Sequence, residues 1–384
     1  MTEDALTDIE TGADAEQAPS PSGRRAVFHE LPVVDIERLT DDAVAVTFGV
    51  PDELEQEYAF LPGQHLTLRA GIKGEDVRQS YSICQSLHAP GRDGTRRVAV
   101  ARVPEGRMSN WVNDELRVGQ HVHVMTPLGS FTCATRPDAA RHHVAIAAGS
   151  GITPVISLLT TALEEEPRSR ATLLFGNRRT DTIMFLEELE DLKNRFPSRF
   201  QLVHVLSREP QEVELFTGRL DPERLERIFA ALVPVETVDE WYLCGPFGMV
   251  TAAEALLGER GVDPRHMHHE IFHVDDGTGP RRKPVIDRSA PPEAVVTVSL
   301  DGRTSIVPMP SREEVILDAV LRVRADAPFS CTNGVCGTCR ARLLAGQVRM
   351  DRNYALEPDE VARGLVLTCQ SHPVTDEVSL DYDV

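Results

Sequence analysis

Hydrophobic and polar positions change rhythm three times along this chain. From residue 26 to 137 the apolar positions recur with a period near two in short segments. AVAVTFGV, QHLTLR and RRVAVARV alternate small or apolar residues with polar ones and are separated by Pro, Gly and Asp turns. That pattern predicts an antiparallel β-barrel. From 138 to 274 the strands become continuous apolar runs, HHVAIAAGSG, ATLLFGN, FQLVHVLS and EWYLCGP, alternating with helix-period stretches such as PVISLLTTALEEE, DTIMFLEELEDLKNRF and DPERLERIFAAL. Strands alternating with helices predict an α/β domain with a parallel sheet covered on both faces. A Pro/Gly/charge-rich stretch at 275–293 has linker composition. Residues 294–384 return to short strands, with one predicted helix in EEVILDAVLRV, as in an α+β domain. Residues 1–25 are expected to be a disordered acidic tail, because the first 23 hold six acidic and no basic side chains and too little apolar surface to offset ordering entropy. No internal repeat is visible.

Composition narrows the function classes. The chain has 384 residues, two or three domains' worth, and 41% of them are hydrophobic, enough for real cores. No run approaches the roughly 18 apolar residues of a membrane span, so no membrane partner is expected. A formal charge of −20 argues against nucleic acid as a partner. The same charge suits either attraction to a basic protein or simple solubility, and composition does not choose between them.

Seven cysteines change the picture more than charge does, because three of them fall within PFSCTNGVCGTC at 328–339. Pro328, Gly334 and Gly337 make this a loop. Disulfides suit short secreted chains, and no signal-peptide-like apolar run opens this sequence, so a reducing, cytoplasmic setting is expected. Zinc favours two Cys-x-x-Cys pairs or one pair with downstream histidines. Here Cys331, Cys336 and Cys339 form Cys-x4-Cys-x2-Cys with a distant Cys369 in LTCQSHP, the plant-type [2Fe–2S] spacing. A tight glycine loop can also aim N–H groups at the sulfurs of an anionic cluster. Such a centre accepts one electron at a time whereas a nicotinamide gives two as hydride, so a flavin is expected upstream.

That expectation meets RQSYS at 78–82, which follows PGQH at 62–65 and resembles the flavin motif of the ferredoxin–NADP⁺ reductase superfamily. The resemblance implies that Arg78 pairs with the FAD pyrophosphate, that Tyr81 packs beside the isoalloxazine, and that Ser82 hydrogen-bonds near its N5, with Ile83 next in the same segment. GRMS at 106–109 resembles the segment whose backbone amides and Ser109 hold the FAD phosphates, implying roles for Gly106, Met108 and Ser109, and NWVNDEL is expected to follow as a short helix. AAGSGITP at 147–154 resembles the superfamily's nicotinamide turn, implying roles for Gly149, Gly151 and Thr153, and Pro154 is expected at the first helical position. In LCGP, Cys244, Gly245 and Pro246 would lie beside the nicotinamide, with Met249 close behind. Glu270 of HHEIFH would face the flavin–nicotinamide junction, an alternative to reading its histidines as a metal site. Ser207 and Arg208 of SREP resemble a 2′-phosphate site, so NADPH is expected rather than NADH, although Glu209 stands next door as an NAD-type carboxylate. Arg178 and Arg179 could add to that site or be solvated. Cys84 and Cys133 read as structural.

The whole run from 26 to 384 is thus similar to reductase components of multicomponent oxygenases: a β-barrel FAD domain, an α/β NAD(P) domain and a plant-type ferredoxin domain of β-grasp fold. GNRRTDTIMFLEELEDLKNRF, HVLSREPQEVELFTGRL and the CQSHP ending are most similar to the reductases serving phenylacetyl-CoA epoxidases. Those serving 3-ketosteroid 9α-hydroxylases share the layout. An oxygenase component is the implied protein partner, with a free-standing NAD(P)H reductase or a docking module as rivals.

Overall fold

A computed structural model describes residues 26–89, 91, 93–272, 284 and 286–384. The tail at 1–25 and most of the expected linker lie outside them. The described chain falls into two compact units, 28–276 and the C-terminal ferredoxin-like part. Among the described residues no helix is long and apolar enough to cross a membrane.

The first unit opens with six antiparallel strands: β1 (Phe28–Thr40), β2 (Ala43–Gly49), β3 (His65–Ile72), β4 (Glu75–Ser82), β5 (Thr95–Ala101) and β6 (His121–Met125), with helix α1 (Arg107–Asp114) between the last two. Their order is β4-β3-β6-β1-β2-β5, and a bridge between Ile83 and Val98 joins the two ends, closing the barrel. Val44, Val46 and Phe48 alternate inward and are at most 2% exposed. The intervening Ala43 and Ala45, with Ala99 on β5, are buried as well, because they pack in a second core shared with Val155, Ile156 and Leu159 of the following domain. The small–large alternation in AVAVTFGV therefore marks two buried faces. Alanine on one face lets helix α2 (Ile152–Glu165) approach closely.

That following domain is a five-stranded parallel sheet of β7 (His142–Ala148), β8 (Arg170–Asn177), β9 (Phe200–Leu206), β10 (Glu240–Gly245) and β11 (Met267–Ile271), in the order β11-β10-β7-β8-β9. Helices α2, α3 (Leu186–Arg195), α4 (Pro222–Ala231) and α5 (Phe247–Glu259) link them. Asp221 caps α4 by accepting from the Arg224 N–H, with Pro222 at its first position. The strand order reverses at β7, which lies between β8 and β10. In open α/β sheets that switch point is where ligands bind.

The second unit contains β12 (Ala294–Leu300), β13 (Arg303–Met309), α6 (Ile316–Val320), β14 (Arg340–Ala345), β15 (Val348–Met350), α7 (Pro358–Ala362), β16 (Leu365–Leu367), β17 (Ser371–Pro373) and β18 (Glu377–Asp381). Its main sheet runs β13-β12-β18-β14-β16, with β12 and β18 parallel at the centre and the other pairs antiparallel, a β-grasp arrangement. β15 and β17 form a separate pair. The helix expected across EEVILDAVLRV is shorter than its pattern: Val315 is extended and only Ile316–Val320 is α-helical. The Leu317 N–H donates to the Thr368 carbonyl at 2.9 Å, which ties this helix to the residue before Cys369.

Candidate functional site

On the flavin side, β4 presents the RQSYS residues. Arg78 is buried, its side chain 3% exposed, and its guanidinium contacts Asp76 at 3.2 Å and lies 5.4 Å from the centre of the Phe28 ring. Cross-strand Arg69 bonds the same Asp76 at 2.8 Å, so one carboxylate lies between two guanidinium groups. Burial raises the Asp76 pKa, but the Arg69 hydrogen bond and both charges outweigh it and hold it below the usual range. Tyr81 is half-buried against the barrel core, and burial pushes its phenol pKa up. Ile83 and Met108 have side chains inside that core, so only their backbone can face a cofactor. Gly106 precedes α1, and a Cβ there would come within 2.4 Å of Ser109 Oγ. Ser109 Oγ donates to the Gly106 carbonyl and accepts from the Val103 N–H. A buried guanidinium and an open helix N-terminus lacking a side chain at its cap are groups that fit a diphosphate.

On the nicotinamide side, the glycine turn Gly149–Gly151 follows β7 as one 3-10 turn and runs straight into α2. Pro154 is therefore the third helical residue rather than the first, a position whose N–H would lack an intrahelical partner in any case. The two glycines are needed for different reasons. Gly149 has φ +54° and its Cβ direction meets nothing within 4 Å, leaving its backbone open to a ligand. Gly151 has ordinary helical angles, but a Cβ there would lie 2.2 Å from the Cys244 carbonyl oxygen and 2.9 Å from the Gly245 nitrogen. The nicotinamide turn and the Cys-Gly-Pro turn thus touch backbone to backbone. Thr153 Oγ1 donates to the Ser150 carbonyl at 3.0 Å, and Pro246 caps α5.

The sheet brings the remaining motifs together. Cys244 is paired in register with Ala147 on one side and Glu270 on the other. It is fully buried, and burial, then the Glu270 charge, pushes its thiol pKa well up. Across the barrel–sheet seam, Ser82 Oγ donates to Glu270 Oε2 at 3.2 Å, joining residues 188 positions apart. In HHEIFH, His268 contacts Glu240 at 3.1 Å and its strand neighbour His269 contacts Glu254 at 2.7 Å. Successive residues on a strand point to opposite faces, so these two imidazoles diverge. His273 lies outside the described residues.

At the ends of β8 and β9, the Arg208 N–H donates to the Arg178 carbonyl at 2.8 Å, and the Ser207 N–H to the Asn177 carbonyl at 2.9 Å. Arg179 pairs with Asp181, whereas Arg178 and Arg208 are exposed without an ion pair among the described residues. Glu209 is turned onto Thr180, accepting from its N–H at 2.9 Å and its hydroxyl at 2.7 Å. Those bonds hold its carboxyl below the usual range. Asn177 Nδ2 is buried beside this loop with no partner among the described residues.

The four predicted cysteine ligands converge as two pairs, Cys331 with Cys336 and Cys339 with Cys369. In each pair the hydrogen bond from its neighbour leads in lowering one thiol, Cys336 and Cys369 respectively. Among the described residues no three His, Cys, Asp or Glu side chains gather around a single point. Four thiolates are the ligand set of a [2Fe–2S] cluster. The loop bends through Thr332, Gly334 and Gly337, all with φ near +57° to +78°. The Asn333 N–H reaches Cys331 Sγ at 3.4 Å. Gln370 was not predicted: its Nε2 lies 3.6 Å from Cys369 Sγ and donates to the Thr332 carbonyl at 2.9 Å, joining the fourth cysteine to the loop of the other three. Its place directly after Cys369 was the available signal. Cys84 and Cys133 are buried in the core between barrel and sheet.

Comparison with known proteins agrees with this layout. Residues 30–133 match the oxidoreductase FAD-binding domain, 145–255 the oxidoreductase NAD-binding domain, and 298–374 the 2Fe-2S iron-sulfur cluster binding domain. The chain is 41% identical to a 1,2-phenylacetyl-CoA epoxidase subunit of Escherichia coli, over 93% of this chain and 98% of that protein. It is 34% identical to the ferredoxin reductase component of 3-ketosteroid-9-alpha-monooxygenase from Rhodococcus rhodochrous, over 94% and 98%. The structure of phthalate dioxygenase reductase shares the fold with a TM-score of 0.54 at 21% identity, covering 92% of this chain and 98% of that one. FAD, a [2Fe–2S] cluster and a pyridine nucleotide are the cofactors these domains take. Matched over nearly its whole length, the chain belongs to the family of oxidoreductases that join FAD-binding, NAD-binding and 2Fe–2S domains in one polypeptide.

Proposed function

We propose that this chain is the reductase component of a multicomponent oxygenase, passing electrons from NADPH through FAD and the [2Fe–2S] cluster to a phenylacetyl-CoA epoxidase. The Ser82–Glu270 contact beside Cys244 carries the reading, since it joins the flavin motif to the nicotinamide sheet at the switch point. The acceptor rests on the 41% identity to the Escherichia coli epoxidase protein over nearly the full length of both chains. The division into 26–137, 138–274 and 294–384 is the domain assignment that goes with it, and its free thiols suit a cytoplasmic setting.

When bound, the flavin would supply the exchange of one hydride for two single electrons, and the cluster would supply a one-electron carrier. The protein's part is to bind, orient and exclude water. Arg78 and the α1 N-terminus hold diphosphate charge, and Tyr81 offers a flat face with a polar tip. Ser82 places its hydroxyl at the seam, with its proton directed toward Glu270 Oε2. Cys244 stays a neutral thiol because it is buried, so it forms an uncharged wall against the transfer path. Arg208 and Arg178 offer two guanidinium groups to a 2′-phosphate, while Glu209 is already engaged by Thr180. Cys331, Cys336, Cys339 and Cys369 hold the cluster.

Cys336→Ser tests the order of transfer. It should keep NADPH-driven ferricyanide reduction by the flavin and abolish NADPH-dependent epoxidation of phenylacetyl-CoA by added oxygenase components. Survival of both activities would refute the ligand assignment. Wild-type protein that supports no epoxidation but reduces small acceptors freely would favour a free-standing reductase.

A further inference from the structure

Two residues past Ser82 the chain reaches Cys84, whose N–H donates to the carbonyl of Arg97 on β5 at 3.0 Å. The side chain of Arg97 is 17% exposed and meets three groups. Its Nη2 contacts Glu37 of β1 at 2.6 Å, and the guanidinium grips Glu188 of α3 with two bonds of 2.9 and 3.2 Å. Its carbon lies 5.4 Å from the centre of the Phe185 ring. Phe185, immediately before α3, is buried at φ +60°, a conformation a bulky residue adopts only where its surroundings hold it.

The main chain of Arg97 is tied to the same seam. Its N–H donates to Gln85 Oε1 at 2.6 Å, and the Gln85 carbonyl accepts from Ser157 Oγ of α2 at 2.7 Å. The Leu87 N–H then donates to Thr161 Oγ1 of the same helix at 3.2 Å. One barrel residue is thus bonded forward to α3 and, through the segment that follows the flavin motif, to the helix that begins at the nicotinamide turn. An exposed ion pair contributes little, but a bidentate, stacked and mostly buried guanidinium fixes geometry, since its planar fork is pre-organised.

We propose that Arg97, gripped by Glu188 and Glu37 over Phe185, is a positioning residue that sets the orientation of the NAD(P) domain on the flavin barrel and with it the hydride-transfer distance. Arg97 touches no reacting group, and the inference rests on the NADPH-to-flavin reading above. A misplacement of about 1 Å is enough to cost about a hundredfold in rate.

The test is anaerobic stopped-flow reduction by NADPH of flavin-loaded wild type, Arg97→Met and Glu188→Gln, with hydrogen exchange on the flavin-free chains. Arg97→Met keeps the apolar stem and removes the fork. Its flavin bleaching should slow about tenfold to a hundredfold, with apparent Kd for NADPH within about twofold and flavin content retained. Glu188→Gln, which keeps one hydrogen bond and the fold, should slow it about threefold to tenfold, and Arg97→Lys should restore only part of the rate. Exchange at the Leu87 and Leu189 amides should quicken in both Arg97→Met and Glu188→Gln. Wild-type rates and exchange in both would overturn the clamp, as would a loss explained wholly by flavin release. Should Arg97→Met fail to fold, Glu188→Gln decides alone by the same criteria. A wild-type flavin that NADPH does not reduce would overturn the hydride reading and the clamp together. Unchanged variants beside a reducible wild type overturn the clamp only.

Discussion

Gly151→Ala is a one-methyl test of how closely the two nucleotide-side turns must approach. Gly151 has φ −60° and ψ −10°, so alanine is conformationally acceptable there, and space alone decides. The added carbon would stand 2.2 Å from the Cys244 oxygen, 2.6 Å from its carbonyl carbon and 2.9 Å from the Gly245 nitrogen. Non-bonded carbon contacts are comfortable near 3.5 Å, so the start of α2 and the Cys-Gly-Pro turn must part by about 1 Å. All three atoms are backbone within paired strands, and none can swing aside as a side-chain tip would. Overpacking of this kind costs about 1–3 kcal/mol, and at about 2–4 °C per kcal/mol the melting temperature should fall by about 2–12 °C. Because the displaced turn carries Cys244, next to Glu270, NADPH-driven flavin reduction should slow by about a hundredfold. Gly149→Ala is the control for melting alone, because its backbone is the one left open to a ligand. There the methyl meets open space, and the cost is the left-handed backbone alone, about 1–2 kcal/mol. Thermal melting of both variants and stopped-flow bleaching of Gly151→Ala give the answer. A Gly151→Ala protein that melts and reduces like wild type would refute the steric argument.

Two other perturbations probe separate parts of the molecule. Arg208→Ala should raise KM for NADPH about tenfold to a hundredfold, the worth of a charge-assisted contact, while KM for NADH moves less than about twofold; equal effects would remove Arg208 from the 2′-phosphate site. Glu166 is buried under Arg141, His143 and Ser169. Burial raises its pKa, but the Arg141, Ser169 and His143 bonds outweigh this and hold it at about 2. Because the folded-state value lies below the unfolded one of about 4.3, the carboxylate's stabilisation is complete above that pH and is lost as pH falls toward 2. The urea-midpoint gap between wild type and Glu166→Gln should therefore narrow from pH 6 to pH 3, and a constant gap would show that the charge is not what matters.

Much of the candidate site was legible because its parts are contiguous. The cysteine loop, RQSYS, GRMS, the glycine turn and the Cys-Gly-Pro turn each carry a backbone requirement and a side-chain chemistry within a few residues. The second role of glycine was not legible, since Gly151 is constrained by a turn more than ninety positions away. The same holds for Ala43, Ala45 and Ala99, which belong to barrel strands and prove to be part of a core shared with helix α2. Nothing local marks Arg97, Glu37 and Glu188 as one cluster.

Alone, the sequence determined the three domain types, the order of the redox motifs and the two-iron spacing, because periodicity and short-range chemistry are properties of adjacent residues. Tertiary structure alone decided which motifs meet. The order β11-β10-β7 places Cys244 between Ala147 and Glu270, and packing of the barrel on the sheet brings Ser82 to Glu270. Contact at such separations follows from strand order and from how two cores exclude water together, and neither is written in any single stretch of the chain.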